Sequence, residues 1–137
     1  MQAEQLMIGD WVSDPFGQPT RISAIHNFDD VEINKDLDGD QYFAAAVIDL
    51  NPIPITGKIL VKNGWRHFGE DNNKPDFHGI EHWLLEKCEA WVLNDNKVMN
   101  FRISSNDYRI QYNGKIQHVH ELQHVLRLCG IEKDIEL

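Results

Sequence analysis

Basic clusters are the first thing missing from this chain. Lys and Arg number 13 against 22 Asp and Glu, giving a formal net charge of −9, and no more than two basic residues lie close together in sequence. Nucleic-acid affinity rests mainly on neutralising phosphates, and anionic lipid attracts the same cations. Neither is therefore an expected partner, which leaves protein. Cysteine is scarce too: Cys88 and Cys129 are the only two, and they make no disulfide framework. No apolar run approaches the roughly 18 residues that a membrane span needs. Met1-Gln2-Ala3-Glu4-Gln5 has neither a basic nor an apolar segment of the kind a secretory leader carries. A cytoplasmic location is the expectation. There is no Gly-rich phosphate loop and no G-x-S-x-G elbow. Ser104 and Ser105 fall in a turn with no Asp/His arrangement around them. The carboxylate pairs Asp29-Asp30 and Asp38-Asp40 lie in loops, where solvation is the ordinary role. No cofactor is expected.

What is present suffices for a core. The 137 residues are 42% hydrophobic and include four Trp, as in a globular domain or two closely packed subdomains. The periodicity predicts α+β. An N-terminal half, residues 1–53, reads as an SH3-like small β-barrel. Residues 54–137 read as a short helix, an antiparallel β-meander and a C-terminal helix covering it. The first strand is expected over residues 6–12, interrupted by Gly9-Asp10. Asp14-Pro15-Phe16-Gly17 is a turn, and strands follow over 20–25 and 43–50. A Gly-Asp-aromatic-Val start, a turn and a second strand is how many SH3-like barrels begin.

Residues 29–40 read as an acidic loop. Asn34-x-Asp36-x-Asp38-Gly39 matches half of a calcium-binding EF-hand loop, but Ala45 stands where the bidentate Glu is required. Residues 51–55 read as an extended connector, because each proline biases its predecessor away from helix. Thr56 caps a helix over 57–63, Gly64 ends it, and Trp65 follows as an anchor. Residues 66–78 read as a long polar loop. Strands are then expected over 81–86, 90–93, 98–103, 108–112 and 115–117, with Asn113-Gly114 as a two-residue hairpin turn.

The most informative stretch is Val119 to Gly130. Val119, Leu122, Leu126 and Cys129 form one apolar stripe at helical spacing, and Gly130 suits a left-handed terminus. The same stretch spells H-E-x-x-H. His120 and His124, one turn apart, could each give a ring nitrogen to zinc, with Glu121 as general base. That is the rival reading, a minimal zinc metallopeptidase. A catalytic zinc also needs a third protein ligand. The metzincin pattern would put His where Gly130 stands. Glu132, Asp134 and Glu136 sit in what reads as a frayed tail, and His67, His78, His82 and His118 lie upstream. The leading reading has no metal and no catalytic residue. His120 and His124 face solvent opposite the stripe, and their substitution brings only surface-sized stability changes of about 0.5 kcal/mol. Trp11, Trp65 and Trp83 are candidate contact residues, although so large an apolar area is more often core.

Three stretches also occur together: Gly9-Asp10-Trp11-Val12; Pro52-Ile53-Pro54-Ile55-Thr56 through Ile59-Leu60 to Asn63-Gly64-Trp65; and Val119-His120-Glu121-Leu122-Gln123. In this order the chain resembles a family of short proteins of uncharacterised function from Bacteroides-type bacteria and their mobile elements. The resemblance spans most of the chain by spacing and much less of it by motif. In that family the closing motif is often His-Glu/Gln-Leu-Gln followed by Asn, so the places of Glu121 and His124 need not be acid and imidazole. The resemblance thus lowers the metallopeptidase reading and supplies no activity in its place; the leading reading, a non-catalytic cytoplasmic interaction or accessory protein of phage or mobile-element type, rests on the missing motifs and on an aromatic and acidic surface. The resemblance carries over no functional residue.

Overall fold

The computed structural model describes residues 1–27, 29–34, 42–67, 80–85, 88–93, 99–104, 107 and 109–137. It is an α+β structure with two five-stranded antiparallel sheets. By contacts the chain divides into one unit of Met1–Pro54 with His118–His124, and a second of Ile55–Gln117 with Val125–Leu137.

In the first unit, β1 (Trp11–Ser13), β2 (Pro19–Ile25), β3 (Asp30–Asn34), β4 (Tyr42–Ala46) and β5 (Asn51–Pro52) pair in the order β4-β3-β2-β1-β5. The expected first strand is cut to Trp11–Ser13. Gly9 takes φ +88°, closing a turn in which Asp10 N–H donates to Met7 O at 3.1 Å. Asp14 organises the next turn, its Oδ1 accepting from Phe16 and Gln18 N–H at 2.9 Å each. The acidic loop expected over 29–40 instead begins as strand β3. Its Val31 and Ile33 alternate inward into a core with Leu6, Val12, Ile22, Val47 and Leu50. Acid on the outward positions had hidden that alternation. The calcium half-motif lies mostly outside the described residues. The strand expected over 43–50 ends early: β4 stops at Ala46 and a 3-10 turn (Val47–Asp49) follows. The connector expected over 51–55 starts as a short edge strand on β1. Proline is tolerated there because an edge strand need not donate on its outer side. Among the described residues no pairing joins β4 to β5, so no closed barrel is seen.

In the second unit, α1 (Gly57–Lys62) is capped by Thr56, whose Oγ1 accepts from Ile59 N–H at 3.3 Å. Gly64 ends it at φ +80°, with Gly64 N–H on Val61 O and Trp65 N–H on Leu60 O, both at 3.0 Å. Trp65 is buried and meets Phe101 edge-on at 5.6 Å between ring centres. The sheet runs β6 (Arg66–His67), β7 (Ile80–Leu85), β8 (Cys88–Leu93), β9 (Met99–Ser104), β10 (Ile110–Ile116), each beside the next. The polar loop expected over 66–78 thus opens as a strand, and its remainder lies outside the described residues.

Asn113-Gly114 is no hairpin. Both residues lie within β10, opposite Arg102 and Phe101 of β9. Gly114 is there for space: a Cβ on it would stand 2.7 Å from the Tyr112 hydroxyl, two residues away on the same face. The C-terminal residues are also not frayed. Ile135 is fully buried, and Asn63 exchanges hydrogen bonds with the Glu136 backbone at 2.7 and 2.9 Å.

The closing helix α2 (Val119–Leu128) is shared between the two units. Val119, Leu122 and Leu126 are fully buried as expected, whereas Cys129 is only partly buried. Gly130, at φ +72°, completes its terminus, with Ile131 N–H on Leu126 O at 2.9 Å and Gly130 N–H on Arg127 O at 3.0 Å.

Candidate functional site

The first turns of α2 and the Met7–Trp11 bend of the same unit make the densest polar constellation among the described residues. The helix starts without a Ser, Thr, Asp or Asn cap and replaces it from two directions. Glu121 reaches back, its Oε2 accepting from His118 N–H at 3.0 Å, which is one half of a capping box. Val119 N–H donates to Ile53 O at 2.9 Å, so the connector satisfies a donor that the helix leaves orphaned.

Gln123 is almost fully buried and clamps the bend at two points. Its Oε1 accepts from Trp11 N–H at 2.9 Å, and its Nε2 donates to Gly9 O at 3.1 Å. His124 Nε2 stands 2.6 Å from Asp10 Oδ2, and that oxygen also accepts from Met7 N–H at 2.7 Å. Asp10 is fully buried. A buried polar group is tolerated when it is hydrogen-bonded, and this carboxylate accepts from Met7 N–H and lies against the His124 ring nitrogen. Trp11 is buried beneath the Arg21 guanidinium, 4.5 Å above its ring.

His120 lies between two other imidazoles. The His118 ring stacks on it at 5.7 Å and the His124 ring meets it edge-on at 5.9 Å. It is buried, and its Nδ1 has no hydrogen-bond partner among the described residues. Desolvation by burial pushes its pKa below the ordinary value of about 6.5, outweighing the opposing pull of the Asp10 and Glu121 charges.

The expectation that His120 and His124 face solvent is therefore overturned for His120, and His124 is at most partly exposed, at 18% of its side chain. Hydropathy periodicity marks only apolar burial. Here the polar side of the helix is covered by polar groups of residues 7–11, which no periodicity reports. The surface-sized stability effects expected on substitution fall with it.

The other candidates scatter. His67 is in β6 with its ring 4.6 Å from that of Trp83. His78 and the side chain of His82 lie outside what is described, and Glu132, Asp134 and Glu136 follow α2 in the second unit. Among the described residues no three His, Cys, Asp or Glu side chains group so as to hold a metal ion. Trp11, Trp65 and Trp83 are all buried and present no contact surface. Among the described residues the exposed large aromatics are Phe16, Tyr42 and Phe43 instead. The sequence places Asp10 and Gln123 within a strand break and two motifs but shows no role for either. Their signal is present only as the juxtaposition of a Gly-Asp-aromatic bend with a helix that can meet it. No helix among the described residues is long and apolar enough to cross a membrane. No family model, no curated protein and no solved structure matches the chain.

Proposed function

We propose that this is a non-catalytic cytoplasmic interaction protein acting through protein partners, and that its His-Glu-Leu-Gln-His string is a structural latch. One observation carries the reading. Two of the three side chains that zinc chemistry would need are engaged elsewhere: Glu121 at its own helix start and the His124 Nε2 at Asp10, with Gln123 between them holding Gly9 and Trp11. With Nε2 on Asp10, His124 has only its Nδ1 left for a metal, and a catalytic carboxylate must reach the metal-bound water, whereas Glu121 is turned to the His118 N–H.

The resemblance to short mobile-element proteins gains a physical sense on this reading. Two of its three motifs, Gly9-Asp10-Trp11-Val12 and Val119-His120-Glu121-Leu122-Gln123, are hydrogen-bonded to each other, and the third reaches the helix through Ile53. They are the latch and its seat. The first unit is SH3-like in our reading, supported by a short meander whose last strand, after a 3-10 turn, returns to pair with the first.

The rival reading is a zinc metallopeptidase built on His120, Glu121 and His124. Elemental analysis of protein purified without a metal-affinity tag separates the two. A latch gives no stoichiometric zinc, and His124→Ala lowers stability without changing metal content. One equivalent of zinc that leaves with either His120→Ala or His124→Ala would sink the latch.

A further inference from the structure

The net charge of −9 is not shared between the two units. Met1–Pro54 with His118–His124 contains 11 acidic and 2 basic residues, a net −9, whereas the remainder contains 11 of each, a net of zero. The same unit ends in the least protected sheet edge of the described structure. Natural edge strands are blunted by shortness, proline, lysine or a bulge, because the outward backbone groups otherwise template another strand. Edge β6 has two residues; edge β5 has two and includes Pro52; edge β10 carries Lys115 and a register shift between Ile110 and Tyr112. Edge β4 has five residues, Tyr42-Phe43-Ala44-Ala45-Ala46, and none of these devices.

The two faces of β4 differ in a way that specifies a ligand. Register places Phe43 and Ala45 beside Ile33 and Val31, on the core side of the sheet. Phe43 nevertheless stays 45% exposed, an apolar ledge past the end of the core. On the other side, Ala44 and Ala46 lie beside Glu32 and Asp30. Two alanines put only small side chains beside those carboxylates, of which Glu32 already meets His26 Nε2 at 2.8 Å and Asp30 accepts from Asn27 Nδ2 at 3.3 Å. A strand added outside β4 would lie two strand spacings from β3, about 10 Å, within reach of a lysine or arginine and a carboxylate extended towards each other.

We propose that β4 receives, as an added strand, an extended segment of a partner protein that alternates apolar residues with lysine or arginine. Its apolar side chains cover Phe43, and its basic ones lie along Ala44 and Ala46 towards Asp30 and Glu32. Main-chain pairing supplies affinity and the alternating side chains supply specificity. A second copy of this chain fits worse, because it brings another unit of net −9 to the same edge. This inference rests on the chain being an interaction protein, but its test is independent of zinc content, so either can fail alone.

The probe is a short capped peptide alternating lysine and valine, titrated calorimetrically and followed by amide hydrogen exchange. The expected result is binding that slows exchange within residues 42–46 and weakens with salt. Ala44→Lys, an exposed substitution that puts a cation beside Glu32, should weaken it by at least about tenfold, as should Asp30→Asn combined with Glu32→Gln. A peptide alternating glutamate and valine should not bind. Failure of the lysine peptide to bind overturns the proposal. So does equal affinity for the glutamate peptide, or binding indifferent to Ala44→Lys.

Discussion

Gln123 is the residue on which the latch turns. It gives its whole amide to the backbone of one bend, accepting from Trp11 and donating to Gly9. Replacing it with Ala withdraws both bonds at a buried place, at a cost of about 1–3 kcal/mol, measurable as a shifted urea midpoint with an unchanged slope. A surface-sized effect would show that the clamp contributes little. His120 makes a pH prediction. Its pKa is lowered by burial, so below about pH 6.5 the unfolded chain takes up a proton that folded His120 resists. The contribution is fully present above the unfolded pKa and is lost as pH falls through the folded one. NMR titration should give His120 the lower apparent pKa in the native protein than in urea, and His120→Phe should flatten the fall in stability over that window. At this scale the sequence showed which letters were present but not what each was bonded to. Glu121 and His124 were legible as a motif; their partners, His118 N–H and Asp10, were not, since Asp10 stands more than a hundred positions away.

Elements with local causes were read well, and those defined by a distant partner were not. Thr56, Gly64 and Gly130 bound their helices as their chemistry dictates, because capping and left-handed termini are settled within a few residues. Asn113-Gly114 shows the opposite. The pair is a strong turn signal, yet β9 holds both residues in a continuous ladder, and the Tyr112 ring occupies the place of the missing Gly114 side chain. The tertiary pairing outweighs the local preference. A double-mutant cycle tests this. Gly114→Ala alone must push aside the far end of the half-buried Tyr112 side chain and should cost under about 1 kcal/mol; in a Tyr112→Ala background most of that cost should vanish. Equal costs in both backgrounds would mean that the glycine is needed for its backbone alone.

For the whole molecule the allocation of charge is largely legible in the sequence, since residues 1–54 carry 10 acidic and 2 basic residues; placing His118–His124 with them adds only Glu121. Once allocated, the charge has an energetic consequence. A unit of net −9 repels itself, whereas one with 11 charges of each sign does not. Salt shortens the screening length from about 10 Å at 0.1 M to about 3 Å at 1 M, relieving repulsion among exposed carboxylates in the first unit while weakening attractions in the second. Native-state hydrogen exchange should therefore show added sodium chloride raising protection in β2 and β3, by on the order of 1 kcal/mol, the scale of a few exposed charge pairs. Protection in β8 and β9 should rise less or fall, since the Glu89–Arg102 pair joining those strands is itself weakened by screening. A salt response equal in the two sheets would mean that counter-charges outside this division neutralise the first unit. The charge of the first unit would then no longer favour a basic partner at β4.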